Sequence, residues 1–192
     1  MYELIIAGII AFSLSEILGT LRQSSYKPKD YNKKAGKAGE KKITKALRKR
    51  GFTTLYDLNV PTSRFSNKTT QIDVIAISGH NIFCIEVKHY AGKVQCNRIF
   101  KHAAWLQCSK RLGWRFFKSP LAQNAYHVAN LKKHIDYPIY NIVVFTASAE
   151  LKNMPDTVYQ FSRFTEALEN LPRKNDIDSK TMDKLYSFAV KE

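Results

Sequence analysis

Apolar residues along the chain recur every second position in some segments and every third or fourth in others, and the two spacings divide it into strands and helices. "AGKAGEKKITKALRKRG", residues 35–51, places Gly36, Glu40, Ile43 and Leu47 on one stripe. Lys41, Lys45, Arg48 and Lys49 fall on other faces, which predicts a helix stopping at Gly51. "FTTLYDLNV" is rich in β-formers and ends at Pro61, so it reads as a strand. Two further strands follow in "QIDVIAIS" and "NIFCIEVK", then a short strand at "KVQCN", a short helix at "KHAAWLQCSKRL" and a strand at "GWRFFKS". Ser119 and Pro120 form an N-cap and first helical residue, opening a helix to about His134. Leu121, Ala125, Val128 and Leu131 make its apolar side, with Gln123, Tyr126, His127 and Asn130 on another. "NIVVFTA" is continuously apolar, as expected of a buried strand, and the tail is helical around "FTEALENL" and "KTMDKLYSFAV". This order predicts an α/β sandwich on a mixed sheet.

Inside the two central strands stand Asp73, Glu86 and Lys88, where an apolar run has no need of charge. With Gly79 and His80 as the central residues of a type II′ turn, Ser78 pairs with Asn81. The register then sets Asp73 opposite Glu86, Gln71 opposite Lys88 and Ile72 opposite Val87. Facing residues have Cβ atoms about 4.5–5.5 Å apart, and like charges there repel. Two carboxylates so placed call for a proton or a cation, and Mg²⁺ suits them because it takes carboxylate oxygens and keeps waters for substrate phosphate. On this reading, removing the charge of Glu86 stabilises the metal-free protein. Lys88, on the face of Glu86, is placed to hold an attacking water, and the set fits phosphodiester hydrolysis.

Upstream, the run from Leu4 to Leu21 is apolar apart from Glu16. It is at the short end of a membrane span and lacks the basic leader and cleavage site of a secretory signal. It reads as a transmembrane or membrane-associated helix at residues 1–22, an amphipathic helix packed on its own domain being the alternative. The basic linker of residues 23–33 would then sit in the cytoplasm with everything after it.

Charge sharpens this picture. The 31 Lys and Arg against 16 Asp and Glu give a formal +15, which suits a polyanion, nucleic acid first and an acidic membrane surface second. Lys93, Arg98, Lys101 and Lys110 are candidates for phosphate contacts. Cys84, Cys96 and Cys108 form no CxxC pair and complete no zinc spacing with the histidines, so they read as reduced and structural.

Asp73 followed by "EVK" at 86–88 resembles the PD-(D/E)xK nuclease superfamily. More narrowly, "GKAGEKKITKAL", "QIDVIAIS", "IFCIEVKHYAGKV", Trp105 and "SPLAQNAYHVANL" resemble the NERD (nuclease-related) domain over residues 34–150, with 151–192 as a helical extension. The resemblance implies a restriction-endonuclease-like αβββαβ core: a mixed central sheet flanked by helices, here with an apolar helix before it. It makes Asp73 and Glu86 the metal-binding acids, Lys88 the catalytic lysine, and Glu40 and Gln123 accessory catalytic residues. It implies Mg²⁺ or Mn²⁺ as cofactor and DNA, or RNA, as substrate. Ile72 stands where the superfamily's name has proline, a departure that NERD-like sequences share. The alternative is an inactive relative that binds nucleic acid, or a membrane-associated interaction protein of the same fold.

Overall fold

In the computed structural model, the described residues are 30–63, 67–96, 104–110 and 113–189. The elements run α1 (Asp30–Arg48), β1 (Thr53–Pro61), β2 (Thr69–Ser78), β3 (Asn81–Lys88), β4 (Gly92–Cys96), β5 (Ala104–Ser109) and β6 (Gly113–Lys118). They continue with α2 (Pro120–Leu131), β7 (Ile139–Phe145), β8 (Ala149–Lys152), β9 (Val158–Gln160), α3 (Phe164–Glu169) and α4 (Ser179–Phe188). A five-stranded sheet has the order β1-β2-β3-β7-β9, and a four-stranded one the order β6-β5-β4-β8. Both sheets mix antiparallel and parallel pairs: β1, β2 and β3 form a meander, while β7 runs parallel to β3 and β8 parallel to β4. The fold is therefore mixed α/β with flanking helices.

Strand alternation sends the apolar side chains of the larger sheet to two layers. On one side, Ile75, Ile77, Ile82 and Cys84 pack beneath Leu131 of α2 and Leu185 and Phe188 of α4. On the other, Val74, Ala76, Phe83, Ile85 and Val87 pack beneath Ile43 and Leu47 of α1 and Phe164 and Leu168 of α3. The second sheet lays Val94, Cys96 and Trp105 against Val143 and Phe145 of β7. Ser119 caps α2 as its sequence predicts, its Oγ accepting from the Ala122 N–H at 3.2 Å with Pro120 in the first turn.

Three expectations are corrected. Residues 104–109 are a strand, not part of a helix, because β5 pairs with β4 on one edge and β6 on the other. Trp105 and Gln107 point inward, while Ala104, Leu106 and Cys108 lie half-buried on the opposite face. Apolar groups on both faces hide the two-residue period. Secondly, α2 ends at Leu131, and the side that it buries carries Asn124, His127, Asn130 and Leu131, while Ala125 is exposed. Thirdly, neither Gly79 nor His80 has a positive φ, so the β2–β3 turn is not type II′ although its Ser78↔Asn81 register is as expected. The N-terminal apolar helix lies outside the described residues; among those, no helix is long and apolar enough to cross a membrane.

Candidate active site

Regular pairing of β2 with β3 runs from Ser78↔Asn81 to Val74↔Ile85 and stops one residue short of Asp73. On the other edge of β2, pairing with β1 is interrupted at the same place, between Tyr56↔Val74 and Leu58↔Ile72. There Asp57 adopts φ 57°, a left-handed conformation that aspartate tolerates better than most residues. The alternation of sides slips by one across this break: Leu55 and Leu58 join one core layer, as do Ile75 and Ile72. Ile72 therefore does not meet Val87, which lies in the opposite layer, and Gln71 does not face Lys88. Gln71 is exposed and donates its amide N–H to Asp57 Oδ1.

The broken row holds the chemistry. Freed from the ladder, the Asp73 Oδ2 accepts from the Val87 N–H at 2.8 Å. Glu86, on β3, is only 2 % exposed. Its Oε1 accepts from the Lys88 ammonium at 2.5 Å, and Lys88 also donates to Gln123 Oε1 of α2 at 3.3 Å. The second oxygen, Oε2, lies 3.5 Å from His127 Nε2. Among the described residues neither of these two buried atoms has a hydrogen-bond partner. His127 Nδ1 is held 2.7 Å from the Thr70 hydroxyl.

The fold aims these groups in two ways. Asn124, fully buried, donates to the carbonyls of Cys84 on β3 and Ile142 on β7 at 2.7 and 3.0 Å, and its Oδ1 accepts from the Cys84 thiol. That clamps α2 onto the parallel pair and turns Gln123 toward Lys88 and His127 toward Glu86. Across the sheet, a Cβ at Gly39 would stand 2.9 Å from Thr146 Oγ1 and 3.4 Å from Val87 Cγ1. Only glycine permits α1 to lie that close, and the approach brings the next residue, Glu40, within electrostatic range of Glu86 and Asp57.

Protonation follows from these contacts. Burial, then the charge of Glu86, raises the Asp73 pKa to about 7 against the hydrogen bond from Val87. Burial also raises Glu40, with Asp57 adding to it. For Glu86, burial pushes upward, but His127 and Lys88 outweigh it and hold the carboxyl below its usual range. Burial lowers Lys88, and the neighbouring Glu86 more than reverses this. The expected repulsion between the two carboxylates is present and raises Asp73, while Lys88 and His127 hold Glu86.

Asp73, Glu86, Lys88, Gln123 and Glu40 are brought to one end of the hairpin. Lys93, on β4, and Lys110, after β5, are exposed on the second sheet, while Arg98 and Lys101 lie outside the described residues. Sequence reasoning missed His127, Thr70 and Asp57. The spacing Gln123-x-x-x-His127 on one helical face was a signal for His127; nothing marked Thr70 or Asp57. Among the described residues no group of three or more His, Cys, Asp or Glu is arranged as a metal cage. Two carboxylates, one with an oxygen that accepts no hydrogen bond among the described residues, nevertheless fit a Mg²⁺ or Mn²⁺ ion, which needs one or two carboxylates and otherwise keeps water.

No solved structure matches the chain. It is 30% identical over 149 residues to an uncharacterized protein of Bacillus anthracis, covering 76% of this chain and 69% of the relative. Residues 35–146, from the helix bearing Glu40 to the end of the strand beside Glu86, match the nuclease-related domain model, and the chain belongs to that NERD family.

Proposed function

We propose that the protein hydrolyses phosphodiester bonds of DNA, or alternatively of RNA, at Asp73, Glu86 and Lys88 on a restriction-endonuclease-like core, with Mg²⁺ or Mn²⁺. The observation that carries this reading is the convergence of two carboxylates and an ammonium at one broken row of an otherwise apolar hairpin, with Glu86 Oε2, 3.5 Å from His127 Nε2, accepting no hydrogen bond among the described residues. A metal ion bound there by Asp73 and Glu86 would offset charge on the phosphate and lower the pKa of the attacking water. The chain's own groups do the rest. Val87 N–H orients Asp73, and His127 stands behind Glu86 to keep that carboxylate ionised. Lys88, steadied by Gln123, orients the water or the scissile phosphate, and Glu40 borders the acidic cluster. On this reading the nuclease-like domain lies in the cytoplasm, tethered to the membrane by the apolar segment at Leu4–Leu21; resistance to carbonate extraction tests the tether. Lys93 and Lys110, exposed on the second sheet, supply phosphate contacts, as do Arg98 and Lys101 on this reading.

The test is incubation with single- and double-stranded DNA and RNA, in Mg²⁺ or in EDTA. Mg²⁺-dependent cleavage is expected, lost in Glu86→Gln and reduced about 10²–10⁴-fold in Lys88→Ala, which should still bind the metal. Cleavage by Glu86→Gln at the wild-type rate would remove the metal-site reading.

A further inference from the structure

Between α1 and the edge strand β1 lies a groove of about 580 Å³ that meets the hydrolytic site only at its acidic residues. One wall is the α1 flank bearing Lys37, Lys41, Lys45 and Arg48; the other carries Tyr56, 40% exposed. The acidic residues lining it, Glu40 and Asp57, are the two that border the candidate active site. From Lys37 to Arg48 the helix advances about 16 Å, and past Glu40 its cations lead away from the carboxylate cluster.

A solvated helix face ordinarily mixes the two signs, because like charges four residues apart destabilise the helix. Here Lys37, Lys41 and Lys45 repeat at that spacing, Lys49 follows just past the helix end, and all four are exposed. Lys42, off this flank, is engaged over the Phe161 ring. The repulsion is relieved when an anion of matching length lies in the groove. A continuous polyanion fits better than an isolated phosphate, since Lys41, Lys45 and Arg48 form a row leading away from Glu40, with Lys37 on its other side. The exposed Tyr56 ring offers a face on which a base can stack.

We propose that the α1–β1 groove binds one strand of nucleic acid, its phosphates along Lys37, Lys41 and Lys45 and a base on Tyr56, and leads that strand toward Asp73 and Glu86. The direction of the track rests on the nuclease reading; the binding itself does not.

The experiment measures anisotropy of a fluorescein-labelled twelve-nucleotide single-stranded DNA with the full chain, in EDTA so that nothing is cut. Changing Lys37, Lys41 and Lys45 together to Ala should weaken binding at least tenfold at low salt. It should also flatten the slope of log affinity against log salt by about 2, since each phosphate that a lysine neutralises adds about 0.7 to that slope. Alanine at Lys118, Lys152 and Lys180, exposed and outside the groove, removes the same charge and should cost under threefold. Tyr56→Leu should weaken binding severalfold with the salt slope unchanged, circular dichroism confirming its fold. Equal losses of affinity from the two lysine triples would overturn the proposal, because net charge alone would then bind the strand. It would also be overturned if the groove triple no longer bound phosphatidylserine vesicles but kept the oligonucleotide. A protein that cuts no substrate, yet releases the strand in the groove triple only, would keep this groove and discard hydrolysis. Cleavage intact beside unchanged binding by that triple would do the reverse.

Discussion

The two ends of the β2–β3 hairpin obey opposite rules. Near the turn, five consecutive residue pairs keep strict register, and the side chains from Val74 to Ile77 and from Ile82 to Ile85 are almost wholly buried. At the open end the ladder stops, sides slip by one, and charge is desolvated, Glu86 buried and Asp73 and Lys88 half-buried. The closed end contributes stability through apolar burial; the open end gives up ladder bonds and desolvates charge. Strain and charge of this kind persist where surrounding structure holds them in place. Here α1, α2 and the closed end of the hairpin do so.

The largest effect on folding should come from the closed end. Phe83→Ala removes a fully buried ring stacked on Tyr140 and tilted against Phe52, and should cost about 3–5 kcal/mol in denaturant unfolding. Metal response and cleavage should survive wherever the protein remains folded.

At the open end, Glu86→Gln strands the Lys88 ammonium, only 18% exposed, and should destabilise by about 2–4 kcal/mol while abolishing cleavage. This is the opposite sign from simple carboxylate repulsion, so a more stable metal-free variant would show that Lys88 and His127 do not anchor Glu86.

Asp73→Asn should act the other way. With the folded pKa raised to about 7, the native protein keeps a proton that the unfolded chain releases near pH 4. Stability of the metal-free protein from this group therefore falls as pH rises from about 4 to about 7, then levels. Glu86, held low, contributes stability at neutral pH that is lost as pH falls through its folded value. At pH 8 Asp73→Asn should thus stabilise by about 1–2 kcal/mol, flatten the pH 5–7 slope of the melting temperature and lose the stabilisation by Mg²⁺. An unaltered slope would show that Asp73 is ionised throughout.

The smallest expected change is Thr70→Val, which removes the hydroxyl 2.7 Å from His127 Nδ1 and should cost about 1 kcal/mol. If Thr70 orients the ring, cleavage should drop in this variant and recover in Thr70→Ser, a rescue that packing alone would not produce.

Much of this is legible in the sequence, for local reasons. The alternation in "QIDVIAIS" and "NIFCIEVK" sets a period of two, and the apolar match sets Ser78 against Asn81, so the strands and their pairing near the turn follow. Ser119-Pro120 starts α2 because a cap and a fixed φ are properties of neighbouring residues. Asp73, Glu86 and Lys88 stood out because charge inside an apolar run demands an explanation.

The remainder depended on partners distant in the chain. Strand β8 and the three-residue β9 have too little pattern of their own and exist by pairing with β4 and β7. Residues 104–109 became a strand because two neighbours supplied ladder partners. The buried side of α2 is polar at Asn124 and His127 because Cys84, Ile142, Thr70 and Glu86 lie across from it, and hydropathy does not register a partner. The break at Asp57 and Asp73 is of the same kind. By itself the sequence determined which residues alternate, which cap, and which charges are out of place. Only the tertiary structure decided where the alternation slips and which carboxylate is anchored, because both depend on desolvation and on contacts between segments far apart in sequence.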